Sequence, residues 1–194
     1  MKKNYQIIYL NGPSSVGKTT VARALQNELK TLFLVVGIDQ VIDMMPAKAN
    51  DWNEAADVPG FSPEPVENVK QGFVGYRIHS GPFGERMVQA LKDIVLALAK
   101  SNYSIIIDDV SIGKKEVDAW HNALKKFQVL WVGLTAPLNV LEQRERDRHD
   151  RKLGLARWQA DHVHVGVDYD LMIDTYEMSV DESVAIIKNR MLDQ

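Results

Sequence analysis

The chain has no cysteine among its 194 residues. That excludes a disulfide framework, thiolate nucleophiles and the Cys-based zinc sites. It has no excess of positive charge: 23 Lys and Arg stand against 26 Asp and Glu, a formal net charge of -3. General electrostatic binding to nucleic acid is not expected from that balance. Nor is there an apolar run near the roughly 20 residues that a bilayer crossing needs, so no membrane partner is expected. Met1-Lys2-Lys3-Asn4 leads straight into a strand-like segment rather than an apolar leader, which points to the cytoplasm. What remains is an ordinary soluble composition, 45% apolar and 25% charged, long enough for one α/β domain over 1–194.

The most informative stretch is Gly12-Pro13-Ser14-Ser15-Val16-Gly17-Lys18-Thr19-Thr20, which reads G-x-x-x-x-G-K-T. It is a P-loop. Glycines let the backbone turn its N–H groups inward on phosphate oxygens, at the point where a helix begins with those groups unpaired. Lys18 then reaches the β and γ phosphates of ATP, and the Thr19 hydroxyl serves Mg²⁺. The context agrees: Gln6–Leu10 is a buried-strand pattern, and Val21, Ala24, Leu25 and Leu29 recur at helical spacing.

Further strands are expected at 32–36, 103–109, 128–134 and 169–175, alternating with helical patterns at 83–100, 114–127 and 180–192. That rhythm implies βαβ units and a five-stranded parallel sheet. Asp39 follows the second strand, at the sheet edge where ligands bind in open α/β folds; it can face the P-loop's ligand or cap the helix that follows. Asp108 and Asp109 end a Walker-B-like strand, and one of them should approach the metal. The sequence leaves open which.

Residues 46–82 carry five prolines and several aromatics and are read as an irregular substrate-covering wall, with a helix expected within 66–79. Residues 137–163 look like a helical lid. Arg144, Arg146, Arg148 and Arg151 crowd its first half, placed to neutralise charge on a transferring phosphoryl group. His162 and His164 alternate without further ligands and do not make a zinc site.

Taken together, LNGPSSVGKTTVARALQ at 10–26, GIDQVIDMMPAK at 37–48, IIIDDV at 105–110, VLWVG at 129–133, the arginine run within 144–151 and HVGVDYDLMIDT at 164–175 resemble the chloramphenicol phosphotransferase-like P-loop kinases. The resemblance implies a three-layer α/β/α fold similar to nucleotide and shikimate kinases. It also implies transfer of the ATP γ-phosphate to a hydroxyl of a small molecule, antibiotics included, with Asp39 as the base. Lys18, Arg144, Arg148 and Arg151 would be the cationic partners, and Thr19 with Asp108 or Asp109 the Mg²⁺ residues. Residues 49–82 depart from the antibiotic-modifying pattern, and Arg146 is an addition to the arginine spacing. Rival readings are a nucleotide or sugar-nucleotide kinase on the same scaffold, and a slow ATP-hydrolysing switch.

Overall fold

The computed structural model describes residues 5–53, 58–66, 75–148 and 152–192. Strand β1 (Ile7–Asn11) is buried at every position, because helices cover both of its faces. On one side Ile8 and Leu10 pack with Val21, Ala22 and Leu25 of α1 (Lys18–Glu28) and with Val184 and Ile187 of α7 (Val180–Leu192). On the other, Ile7 and Tyr9 meet Leu91 and Val95 of α3 (Pro82–Lys100), and Trp120 and Leu124 of α4 (Gly113–Leu124). This is a three-layer α/β/α arrangement. A strand buried on two faces reads as a continuous apolar run rather than an alternating one, as Ile7-Ile8-Tyr9-Leu10 does.

The other strands of this sheet are β2 (Phe33–Gly37), β5 (Ser104–Asp109), β6 (Val129–Thr135) and β7 (Leu171–Asp174). The order across the sheet is β2-β5-β1-β6-β7, with all pairings parallel. The chain leaves β1 for β2 on one side and later returns across β1 to β6 on the other. The resulting crevice lies beyond the carboxyl ends of β1 and β5. Register puts Asp108 opposite both Leu10 and Gly37, and Asp109 opposite Asn11. The ends that carry polar residues therefore converge.

Helix α2 (Ile38–Asp43) follows β2 without a break, and a short 3-10 turn occupies Ala47–Ala49. The helix expected within 66–79 does not include the two ends of that stretch. Val66 ends β3 (Phe61–Val66), and residues 75–79 belong to β4 (Gly75–Ser80), which pairs with β3 antiparallel; residues 67–74 lie outside the described residues. Pro63 and Pro65 are compatible with a two-stranded ribbon, whose open edges leave ladder positions that need no N–H donor. Phe61 anchors the ribbon in a small cluster with Met45, Ala49 and Ile78.

The stretch expected to form a lid contains two helices, α5 (Leu138–Arg148) and α6 (Leu155–His162). Its second helix packs on the ribbon: the Tyr76 N–H donates to the carbonyl of Gly154, the N-cap of α6, at 3.1 Å, and Lys152 Nζ lies 5.0 Å from the centroid of the Tyr76 ring. Among the described residues no helix is long and apolar enough to cross a membrane.

Ile8 is fully buried at the centre of the sheet, whereas Leu32, just before β2, is 89% exposed. Ile8→Ala is expected to cost about 2–5 kcal/mol in denaturant unfolding. Leu32→Ala should stay within about 0.5 kcal/mol of wild type.

Candidate active site

The P-loop leaves Asn11 and closes at Gly17, whose φ of 98° is left-handed and starts α1. Ser15 also has a left-handed backbone, φ 64°, although it carries a side chain. Successive residues of this kind turn several N–H groups to one side and make a concave anion nest. Val16 is the loop's buried foot: its side chain is in the core, and its carbonyl accepts from Thr175 Oγ1 at 2.6 Å. Ser14, Ser15, Gly17, Lys18, Thr19 and Thr20 line the cleft, and Gly12 and Pro13 supply carbonyls to it.

Lys18 is 8% exposed, and its ammonium donates to the Gly12 and Pro13 carbonyls at 2.9 and 3.0 Å. The Ser14 and Ser15 hydroxyl oxygens are buried with no hydrogen-bond partner among the described residues. Buried polar atoms are rarely left so, and their orphaned state fits a cradle whose partners are a ligand's oxygens.

The two acids of β5 separate. Side chains alternate across a strand, so Asp108 follows Ile106 to the α1 face while Asp109 follows Ile105 and Ile107 to the α3/α4 face. Asp108 Oδ2 accepts from Thr19 Oγ1 at 2.6 Å and lines the cleft. Asp109 is 7% exposed, and its Oδ2 accepts from both Ser111 Oγ and Trp120 Nε1 at 2.7 Å. Of the two candidate metal acids, between which the sequence does not choose, Asp108 stands beside Thr19 and Asp109 is turned by strand alternation to Ser111 and Trp120. Burial raises the Asp108 carboxyl above its ordinary pKa, opposed by the Lys18 charge and the Thr19 bond, with Asp39 adding to the rise. A hydroxyl and a carboxylate side by side are the hard oxygen donors that Mg²⁺ takes, an ion that keeps several waters and completes its shell on substrate phosphates. Among the described residues no three His, Asp or Glu converge as a metal cage.

Asp39 sits in the first turn of α2 and lines the same cleft. The N-cap is Gly37, so the capping alternative for Asp39 is not what forms. A Cβ at Gly37 would lie 2.3 Å from the Asp108 carbonyl. The absence of that carbon is what lets the end of β2 close on β5 and bring Asp39 to Asp108. The arginines divide as well. Arg148 lines the cleft. Arg144 instead donates to Thr175 Oγ1 at 3.0 Å, to the Thr175 carbonyl at 2.9 Å and to the Val16 carbonyl at 3.4 Å, tying the lid to the loop's foot. Arg146 is exposed on Gln143, and Arg151 lies outside the described residues.

Three features escape a sequence reading. Glu145, which looks like one more charge on a solvated face, is 2% exposed, and its carboxylate accepts from the Gly154 and Ala156 N–H groups at 2.7 and 2.9 Å. It caps α6 from α5 and folds the lid on itself. Gln159 of α6 is 7% exposed and accepts the Ser14 N–H at 2.6 Å. Its signal was a polar residue on the buried stripe formed by Leu155, Ala156 and Val163. The third is a polar chain under the loop. A carbonyl only accepts, so His164 Nε2 donates to the Leu134 carbonyl at 3.0 Å. Nδ1 then accepts from the Tyr169 hydroxyl at 3.0 Å, whose oxygen accepts from Asn11 Nδ2 at 2.9 Å. Asn11 is further held by the Ser111 backbone through both ends of its amide. Burial pushes the Tyr169 hydroxyl up to about 12, against the Asn11 bond, and holds the His164 imidazolium below its usual range, with Lys18 acting in the same direction and the Leu134 bond against it.

A parallel sheet of this order with a P-loop at its switch point and a helical lid is the architecture of P-loop kinases. The chain belongs to the chloramphenicol phosphotransferase-like protein family, whose sequence model matches residues 5–192. It is 27% identical over 191 residues to the Mycobacterium tuberculosis protein named "Putative O-phosphotransferase Rv2636", covering 91% of this chain and 78% of that one. In fold it resembles the M. tuberculosis APS kinase CysC, solved with AMPPNP and APS, at TM-score 0.66 and 14% identity over 99% of each chain. It also resembles the Deinococcus radiodurans tunicamycin resistance protein, at TM-score 0.58 and 20% identity over 95% of this chain and 94% of that one. The family and the fold together make this a P-loop phosphotransferase.

Two outcomes follow from the buried groups. Glu145→Ala strands two N–H groups at the start of α6 and should lower stability by about 1–3 kcal/mol in thermal or denaturant unfolding. His164 is favoured neutral in the folded state, so below its ordinary pKa of about 6.5 the unfolded chain takes up a proton that the native chain resists. Wild type should therefore lose stability as pH falls from about 7 toward 5.5, and His164→Gln should lose less. Parallel pH profiles for the two proteins would contradict this.

Proposed function

We propose that the chain is an ATP-dependent O-phosphotransferase that moves the γ-phosphate to a hydroxyl of a small, uncharged molecule. One observation carries the reading: Asp39, Lys18, Arg148 and the Thr19–Asp108 pair line a single cleft with the P-loop. A carboxylate at Asp39 has no part in holding ATP. Its use there is to accept the proton of an acceptor hydroxyl as that oxygen bonds to the γ-phosphorus and the bond to the β–γ bridging oxygen breaks, releasing ADP. A nucleotide switch that only orients water gains nothing from such a group.

Lys18 exchanges its contacts with the Gly12 and Pro13 carbonyls for the β and γ phosphates, and the loop amides with the Ser14 and Ser15 hydroxyls hold their oxygens. Thr19 and Asp108 would hold Mg²⁺, which supplies charge neutralisation at the phosphates. Arg148 adds positive charge where the transferring group loads its equatorial oxygens, while Arg144 and Glu145 keep the lid in place to deliver it. Catalysis of this kind is mostly positioning and electrostatics.

An uncharged acceptor is supported by the residues around Asp39. Ile38, Gln40 and Val110 line that part of the cleft, and Lys18 and Arg148 are its only cations among the described residues. A nucleotide acceptor would call for a further basic group. The family's name agrees with a compact hydroxylated compound, and the ribbon of β3 and β4, docked on α6, is the wall expected to select it.

Asp39→Asn keeps the shape and removes the basic charge. With an acceptor that supports turnover, transfer should fall by roughly 10²-fold or more while ATP affinity and melting temperature hold. Unchanged transfer would contradict the assignment of the base.

A further inference from the structure

The contact between Gln159 and the Ser14 N–H joins the lid to one end of the phosphate cradle. Which end follows from Lys18. Its ammonium, the group that serves the β and γ phosphates, rests on the carbonyls of Gly12 and Pro13, so the stretch from Gly12 to Ser14 is where the terminal phosphate arrives. The Ser14 hydroxyl in that stretch and the Ser15 hydroxyl beside it are buried, with no hydrogen-bond partner among the described residues. The next residue along, Ser15, is held at φ 64°, a conformation that costs a residue with a side chain free energy unless its surroundings fix it. Among the groups that fix it is a carboxamide reaching in from outside the loop, on a helix that Glu145 clamps to the arginine-bearing half of the lid.

We infer that Gln159 is a positioning residue for the γ-phosphate: its carboxamide oxygen holds the Ser14–Ser15 backbone in the shape that presents both serine hydroxyls to the terminal phosphate, and does so only while the lid is seated. The inference rests on the P-loop being an ATP site. A glutamine suits the task because its oxygen accepts the N–H without placing a negative charge beside the triphosphate. Its effect falls on the terminal phosphate and not on the α and β phosphates, which meet the loop's far end and the start of α1.

The test is selectivity between triphosphate and diphosphate. Dissociation constants for the β,γ-imido analogue of ATP and for ADP, each with Mg²⁺, are measured by calorimetry on wild type, Gln159→Met and Gln159→Asn. Methionine has similar length and no comparable acceptor, and asparagine keeps the amide but is one methylene too short. Each variant should weaken the triphosphate analogue by about 5–10-fold, the worth of one buried hydrogen bond, and change ADP by less than about 2-fold. A folded variant with wild-type selectivity overturns the inference. So does equal weakening of both ligands, or failure of both variants to fold, since each makes Gln159 only a structural residue. Wild type that binds neither nucleotide would remove the ATP reading itself, whereas selective wild type with unaffected variants removes this inference alone.

Discussion

A buried ammonium needs acceptors, and the cleft is built around that need. Lys18 is almost out of water, in contact with two carbonyls of its own loop and within the field of Asp108. An ion so placed is stable only with compensating groups around it. The loop carbonyls meet the need partially and at the cost of folding the side chain back on the loop. Phosphate oxygens meet it better, and they would also serve the two serine hydroxyls that have no partner among the described residues. Affinity for an anion is thus a consequence of how the loop folds, and the parallel sheet fixes the loop by burying β1 on both faces.

The lid is connected to this centre by short-range contacts and not by charge alone. Arg144 grips Thr175 and the Val16 carbonyl, Glu145 caps α6, and Gln159 holds the Ser14 amide. Of the arginines in the described part of the run, Arg148 lines the cleft. A row of four cations in the sequence therefore separates into one that anchors, one on the surface, one in the cleft and one outside the described residues. Just before α6 the chain rests on β4: the Gly154 carbonyl accepts the Tyr76 N–H, and the Lys152 ammonium lies over the Tyr76 ring. The ribbon, α6 and the phosphate loop are consequently linked, α6 meeting the ribbon at Tyr76 and the loop at Ser14.

Much of this was legible in the sequence, for identifiable reasons. Each of the five core strands is an apolar run ending in a residue with a polar or backbone role, such as Asn11, Gly37 or Asp109, and the P-loop fixes which end of the sheet binds. The roles of Asp108 and Asp109 were not legible, because strand alternation assigns them to faces only once the side occupied by α1 is known. The strands Phe61–Val66 and Gly75–Ser80 were not legible because proline-rich, irregular spacing carries no period. Glu145 and Gln159 were hidden for a different reason. Their partners are backbone N–H groups of distant segments, which leave no mark on composition or spacing.

The central claim is that the cleft passes phosphate to a hydroxyl other than water. It is tested most directly by incubating the protein with γ-labelled ATP and Mg²⁺, with and without panels of neutral hydroxylated small molecules and of nucleoside monophosphates, and following both ADP release and the label. The account predicts ADP release that depends on a neutral acceptor, with the label on that compound. ADP released at the same rate whatever acceptor is present, with all label in inorganic phosphate, would contradict it.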